Sequence, residues 1–152
     1  MQTGIAAIDP RLADADILAD AASAQGLIPI YLTQDGDSLK GLIQQLKHLD
    51  GTDYLHVFCH GEPGKLWLGN TCLDQRLLQQ RHDNILQLGQ WVNSGCLLYS
   101  CETAQGHTGQ HFIAQLSQAL NCEVLASSLA IGQGTSGPHW QLDTGATSLQ
   151  AQ

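Results

Sequence analysis

Two hydrophobic segments of this chain each end at a side chain that can do covalent chemistry. Residues 54–59 (YLHVFC) lead into His60, and residues 95–100 (GCLLYS) lead into Cys101. Short apolar runs of this kind are typical of buried strands. In a parallel α/β sheet the carboxyl ends of the strands meet at one edge, where such folds build their sites. Because a thiol and an imidazole are the minimum equipment of a cysteine nucleophile and its base, the pattern predicts a His60–Cys101 dyad at that edge.

The roles within such a dyad follow from its chemistry. His60 would withdraw the thiol proton of Cys101, whose sulfur would attack a peptide carbonyl. The N–H groups of Gly61 and Cys101 are the expected donors to the oxyanion, since a glycine lets a substrate approach the backbone closely. Four polar side chains that follow the strands are candidates for substrate contact: Glu62, Glu102, Ser127 and Ser128. The two glutamates would favour a basic side chain in the substrate, unless they are simply solvent-exposed turn residues.

A zinc site is the second chemistry open to these side chains. His107 and His111 are four residues apart, so on one helix they would share a face and could bind zinc together with Cys101 or His60. This HxxxH pattern lacks the adjacent glutamate of a zinc peptidase. No metal and no other cofactor is therefore expected, although a small thiol- or metal-dependent hydrolase that is not a peptidase stays open as an alternative.

Composition limits the class of protein and its partners. The chain has 152 residues, with 43% hydrophobic and 13% charged residues, which suits one globular domain. Its formal net charge is −8, and its six lysines and arginines do not cluster, so nucleic acid is not expected as a partner. No run approaches the roughly 20 apolar residues that span a bilayer, so membrane insertion is not expected. The first residues lack the basic and apolar stretches of a secretory signal, which predicts either a cytoplasmic location or export without an N-terminal signal as part of a larger protein.

The cysteines and tryptophans have structural interpretations besides the proposed nucleophile. The five cysteines are odd in number and form no CxxC, so neither a disulfide scaffold nor a zinc ribbon is indicated. Cys59, Cys96 and Cys122 lie in or beside apolar stretches and are expected to be buried as small hydrophobic residues. The tryptophans are expected to be packing anchors of the core or of a hairpin: Trp67, Trp91 and Trp140.

Strands and helices alternate along the chain. Predicted strands cover residues 4–9, 27–32, 54–60, 95–101, 123–126 and 140–142, and a hairpin with a Gly69-Asn70 turn follows Gly61. Predicted helices cover residues 11–25, 39–46, 74–92 with a break near 82–84, and a segment that places Phe112, Ile113, Leu116 and Leu120 on one face. This alternation predicts an α/β fold, a three-layer αβα sandwich with a mainly parallel sheet. Residues 1–143 would form this single domain, and residues 144–152 a flexible C-terminal tail.

Several motifs also resemble a known group of enzymes. The "CHG" of residues 59–61 and the "LLYSCETAQG" of residues 97–106 resemble the caspase-like (clan CD) cysteine peptidases, in particular the CHAT-type group. Together with "HGEPGKLWLGNT" (60–71) and "GPHWQL" (137–142), they are similar to a bacterial domain family of unsettled function that occurs near the N-terminus of large calcium-repeat surface proteins.

The resemblance implies a caspase-like fold with His60 as base, Gly61 as oxyanion donor and Cys101 as nucleophile. It implies a protein or peptide substrate, which could include the parent chain, and a possible homodimer of this chain through an exposed edge strand, as in some members of the clan. The chain is shorter than a caspase catalytic unit and shows no dedicated specificity pocket. A catalytically silent caspase-like module, used for binding or assembly within a larger secreted or surface protein, is therefore the main alternative.

Overall fold

The computed structural model describes residues 2–127, 132–134, 137–139, 142 and 144–146. The strands are β1 (Gln2–Ile8), β2 (Ile28–Tyr31), β3 (Thr52–Phe58), β4 (His60–Glu62), β5 (Lys65–Leu68), β6 (Thr71–Leu73), β7 (Val92–Tyr99), β8 (Glu123–Ala126), β9 (Gly132–Gly134), β10 (Gly137–His139) and β11 (Thr144–Ala146). The helices are α1 (Ala15–Ala24), α2 (Ser38–His48), α3 (Gln75–Gln80), α4 (His82–Gly89) and α5 (Gly106–Leu120).

A six-stranded sheet forms the middle layer, in the order β11-β8-β7-β3-β1-β2. All neighbours in it are parallel except β11, which runs antiparallel to β8. Helices pack on both faces, so the predicted three-layer αβα sandwich with a mainly parallel sheet is confirmed. The strand order reverses direction between β1 and β3, and in open sheets of this kind ligands bind beyond the carboxyl ends of the strands at such a point.

The two faces of the sheet are covered unequally. Helices α2 to α5 bury one large cluster against side chains of β1, β3, β7 and β8, with Phe112 and Ile113 of α5 fully enclosed. The opposite face carries a smaller cluster, in which Ala15 and Ala22 of α1 pack on Ala6 and Ile8. Alternate residues of one strand serve opposite faces, so β1 contributes to both clusters.

A second, small sheet follows the central strand β3. Strands β4, β5 and β6 form an antiparallel meander, and the predicted turn at Gly69-Asn70 lies between its last two strands. The apolar run of residues 54–59 predicts His60 at the end of the core strand, but β3 ends at Phe58 and His60 begins β4. His60 therefore sits where the chain leaves the main sheet for the meander.

The ends of three elements differ from the predicted ones, for local reasons. Helix α1 begins at Ala15 and not near Arg11, because the carboxylate of Asp9 accepts a hydrogen bond from the backbone N–H of Arg11 (2.9 Å) and holds residues 10–14 in turns. The break in the third predicted helix lies at Arg81, whose guanidinium binds Asp37. The last part of that predicted helix is already strand, since β7 begins at Val92.

The C-terminal region is only partly described. Residues 144–146, assigned to the tail from the sequence, pair with β8 as β11, and residues 147–152 lie outside the described residues. Residues 140 and 141 of the predicted last strand, with Trp140, also lie outside them. In the described part of the chain, no helix is both long and apolar enough to cross a membrane.

Candidate active site

The structure places His60 and Cys101 at the same edge of the sheet, next to each other in strand order. Phe58 of β3 is the register partner of Tyr99 of β7, and the N–H of Cys59 donates to the carbonyl of Tyr99 at 3.3 Å. Each reactive residue follows its strand partner by two positions. Because neighbouring strands lie about 4.8 Å apart, the backbones that carry the imidazole and the thiol leave the sheet side by side.

Gly61 joins these two parts of the site. A Cβ atom added to Gly61 would lie 2.9 Å from the carbonyl oxygen of Cys101 and 2.8 Å from the Cβ of Ser100, and it would also collide with the hydroxyl of Thr103. Real Cβ atoms essentially never approach other atoms so closely. The first strand of the meander is therefore seated directly on the turn that carries the thiol, and only glycine fits there.

The turn after Cys101 is held by buried hydrogen bonds. The hydroxyls of Ser100 and Thr103 lie 2.7 Å apart, and the hydroxyl of Thr103 also donates to the carbonyl of Lys65 at 3.2 Å. The carbonyl of Thr103 accepts from the N–H of Gly64 at 2.9 Å. Ser100 and Thr103 are almost completely buried. The turn is thus bonded to the β4–β5 hairpin, so the position of Cys101 depends on the same segment that carries His60.

Glu102 has an unusual backbone conformation beside the thiol. Its φ is 59°, in the left-handed region, which costs a residue other than glycine roughly 1–2 kcal/mol. Its carboxylate accepts a hydrogen bond from the side-chain amide of Gln105 at 3.2 Å. Glu102 thus serves the turn itself through a local contact, in addition to any contact with a substrate.

A cavity of about 330 Å³ opens beside His60, and in the described part of the chain it is lined by Arg11, His60 and Trp67. Glu62 does not line it, and its carboxylate instead accepts from the indole N–H of Trp67 at 3.1 Å. Trp67, expected to be a packing anchor, is half-buried at the cavity wall. The charged group of this cavity is therefore a guanidinium, whereas the sequence analysis expected carboxylates.

Arg11 is a site residue that the sequence analysis did not select. Its guanidinium binds the carboxylate of Asp9 through Nε (3.2 Å) and Nη2 (2.9 Å). Asp9 is completely buried, and its N–H donates to the carbonyl of Phe58 at 2.8 Å, which links the end of β1 to the end of β3. The position of Arg11 in the sequence could have indicated this role. Asp9 and Arg11 come just after a predicted buried strand, as His60 and Cys101 do.

The other four thiols are buried to different degrees, which affects their pKa values. Burial raises the pKa of Cys59 and Cys96 well above the ordinary thiol value and raises that of Cys122 to about 11. Partial burial, and after it the carboxylate of Asp74, raise the pKa of Cys72. The predicted burial of Cys59, Cys96 and Cys122 is confirmed. Since the thiolate is the reactive form, these four cysteines should react slowly near neutral pH.

The remaining candidate residues lie in different surroundings. Ser127 is completely buried, and its carbonyl accepts from the N–H of Ala104 at 3.0 Å, so it supports the turn after Cys101 and does not line an exposed rim as predicted. Ser128 lies outside the described residues. His107 and His111 are both exposed on α5. Among the described residues, no group of three or more His, Cys, Asp or Glu side chains is arranged to hold a metal ion.

Comparison with known proteins gives the chain a family. None of the curated proteins compared with the chain matches it. The family model described as "Domain of unknown function (DUF4347)" matches residues 5–152, which is nearly the whole sequence. The chain therefore belongs to the DUF4347 domain family.

Proposed function

We propose that this domain is a caspase-like cysteine endopeptidase, with His60 as the general base and Cys101 as the nucleophile. The observation that carries the proposal is the pairing of Phe58 with Tyr99, which brings the ends of β3 and β7 together at the ligand-binding edge of the sheet. The motif resemblance supplies the peptide-bond specificity, which strand geometry does not address. Gly61, seated on the turn of Cys101, keeps the two segments in one unit.

The proposed reaction has two halves. His60 takes the thiol proton, and the sulfur of Cys101 forms a bond to the carbonyl carbon of the substrate. The negative oxygen is stabilised by N–H groups, for which those of Gly61 and Cys101 are the candidates. The C–N bond breaks as His60 gives its proton to the leaving amine, which leaves a thioester on Cys101.

Water completes the cycle. His60 takes a proton from the water molecule, whose oxygen attacks the thioester carbon. The C–S bond then breaks, the acid product leaves, and the thiol of Cys101 regains its proton from His60. The reaction needs no cofactor and no redox partner, because each proton that His60 accepts is returned within the cycle.

One observation favours a second candidate function, a catalytically silent binding or assembly module of a larger secreted or surface protein. In the described part of the chain, Cys101 is not one of the residues that line the cavity beside His60. Its side chain is also half-buried. A silent module of this fold would keep the sheet and the meander but would not bring the sulfur to the imidazole.

Alkylation by iodoacetamide separates the two candidates. Each cysteine is followed by mass spectrometry across acidic to alkaline pH, in the wild-type protein and in His60→Ala. The peptidase proposal expects Cys101 to react faster than Cys72 at neutral pH and to lose at least about tenfold in rate at that pH without His60. A Cys101 that reacts no faster than Cys72, with no effect of His60→Ala, would contradict the dyad.

Cleavage of a mixture-based peptide library then tests the activity itself. We expect products from the wild-type protein and none from Cys101→Ala, whereas Cys72→Ala, which removes the other half-buried thiol, should cleave as the wild type does. Fragments of the protein itself, read in the same way, would identify self-processing. A reactive Cys101 without any cleavage would favour the binding module.

A further inference from the structure

A groove lies outside the proposed active site, on the face of the sheet that α1 covers. It has a volume of about 420 Å³ and runs along α1, where its wall includes Ile17, Leu18 and Ala21. Its floor is formed by His56, Phe58 and Tyr99, whose rings stack with centroids 6.1 Å apart for His56–Tyr99 and 4.6 Å apart for Phe58–Tyr99.

Helix α1 has more apolar surface than its own contacts bury. Ala15 and Ala22 face β1 and are buried, but Ile17, on the groove side, leaves 70% of its surface exposed. A helix that is apolar on more than one side is normally covered on more than one side. The exposed apolar stripe of α1 and the aromatic floor together form one concave apolar surface.

The position of α1 on the sheet leaves space for one α-helix beside it. Helix α1 packs over β1 and β2, and packed helices lie about 8–10 Å apart. Two strand spacings of about 4.8 Å cover the same distance, so a helix beside α1 would rest on β3 and β7, which supply the floor. In the described part of the chain, the other helices bury their apolar side chains in the cluster on the opposite face.

Charge indicates what kind of helix would be favoured. Asp14 makes the rim of the groove negative, the chain has a net charge of −8, and residues 12–39 contain no lysine or arginine. Asp16 faces the other side of α1, where its carboxylate accepts from the hydroxyl of Tyr31 on β2 at 3.4 Å. Burial lowers the pKa of His56, so the floor does not offset this negative rim at neutral pH. Lysines or arginines flanking an apolar stripe would complement the rim.

A second copy of this chain is a poor occupant of the groove. The chain has a net charge of −8, and α2, which carries two lysines, buries Leu39, Leu42 and Leu46 in its own core. An anionic lipid surface would meet the negative rim unfavourably.

We propose that the groove between α1 and strands β3 and β7 binds a basic amphipathic α-helix of another polypeptide. The helix would insert an apolar stripe beside Ile17 and over the stacked rings, with basic side chains towards Asp14. Recognition of a helix by its apolar stripe in such a groove is a general mode of peptide binding. The proposal is independent of whether the His60–Cys101 dyad is active.

The test uses two fluorescently labelled peptides with the same leucine stripe, each about 14 residues long, or about 21 Å as a helix. One peptide has lysines at its polar positions and the other has glutamates. Fluorescence anisotropy with the whole chain should show binding of the lysine peptide and much weaker binding of the glutamate peptide. Amide exchange should show new protection in α1, β3 and β7.

Two surface variants locate the binding. Ile17→Gln should weaken binding of the lysine peptide about tenfold, and Asp14→Asn, whose side chain makes no capping bond, about two- to threefold. Leu86→Gln is the matched control, because Leu86 of α4 is also an exposed aliphatic side chain, with 42% of its surface exposed. Circular dichroism checks that each variant is folded.

Four results would overturn the proposal. If the dissociation constants of both peptides are weaker than about 1 mM, the groove does not hold a helix. Equal binding of both peptides would remove the charge argument, and unchanged binding by Ile17→Gln would place the peptide elsewhere. Self-association or vesicle binding that Ile17→Gln abolishes would assign the surface to a second copy or to a membrane instead.

Discussion

Phe58 and Tyr99 are register partners on two neighbouring parallel strands, and their rings stack on the second face with centroids 4.6 Å apart. The pair has two consequences for the protein. Two residues further along each strand, His60 and Cys101 leave the sheet at the same edge. The rings themselves form part of the floor of the groove along α1. The proposed active site and the proposed helix-binding groove thus share the same two strands.

Gly61→Ala should disturb the packing of β4 against the turn that carries Cys101. Its Cβ would lie 2.9 Å from the carbonyl oxygen of Cys101, and we expect a loss of about 1–3 kcal/mol in the free energy of unfolding. Gly95→Ala is the matched control at the other end of the sheet, where a Cβ would meet its nearest atom at 3.2 Å and should cost less. Urea unfolding measures both, and equal stability of the two variants would contradict the steric argument.

Thr103→Val should destabilise the protein by removing a buried hydroxyl. The change leaves the hydroxyl of Ser100 and the carbonyl of Lys65 without the partners that lie at 2.7 and 3.2 Å, at a cost of about 1–3 kcal/mol. Thr103→Ser keeps the hydroxyl and should retain most of the stability. Chemical denaturation compares the variants, and a valine variant as stable as the serine variant would show that the hydrogen bonds contribute little.

Arg11→Gln should destabilise the protein, because it leaves the buried carboxylate of Asp9 without its cationic partner. Asp9 is completely buried and its guanidinium partner is 40% exposed, so loss of the partner should lower the free energy of unfolding by roughly 2 kcal/mol or more. The double variant Asp9→Asn/Arg11→Gln removes both charges and should recover a large part of that loss. A double-mutant cycle by thermal or urea unfolding reads the coupling, and additive effects would refute it.

The stability of the protein should fall on acidification partly because of His56. Burial lowers the pKa of this imidazole, so the unfolded chain binds the proton more tightly than the folded one. The contribution is present above the ordinary histidine pKa of about 6.5 and is lost as pH falls through the lower folded pKa. His56→Phe should flatten this part of the dependence in urea titrations near neutral and mildly acidic pH. His82→Gln, on an exposed position of α4, should retain the wild-type slope, and a wild-type slope in His56→Phe would exclude this role.

Much of the fold could be predicted from local patterns. Residues 123–126 form the predicted strand, and the Gly69-Asn70 turn joins β5 and β6 as expected. Helix α5 buries Phe112, Ile113, Leu116 and Leu120, the four residues expected on one face. These features depend on periodicity and turn chemistry, which act over a few residues.

The limits of the helices depended on partners that are distant in sequence or on competing side-chain bonds. Arg81 is the C-cap of α3, and its guanidinium binds Asp37, which lies 44 residues earlier. Asp9 delays α1 by binding the N–H of Arg11. A helical pattern does not contain such contacts, because a side chain that competes for the backbone overrides a weak local propensity.

The sequence by itself determined the alternation of strands and helices and the two apolar runs that end near His60 and Cys101. Because parallel strands place their carboxyl ends at one edge, the predicted parallel sheet was enough to expect these residues at the same edge, and the structure added that their strands are neighbours. The tertiary structure decided what surrounds them: Arg11 and Trp67 at the cavity, Gly61 against the carbonyl of Cys101, and Ser127 withdrawn from the surface. These contacts join segments far apart in the chain, and they depend on how the meander and the end of β1 fold over the sheet, which no local pattern specifies.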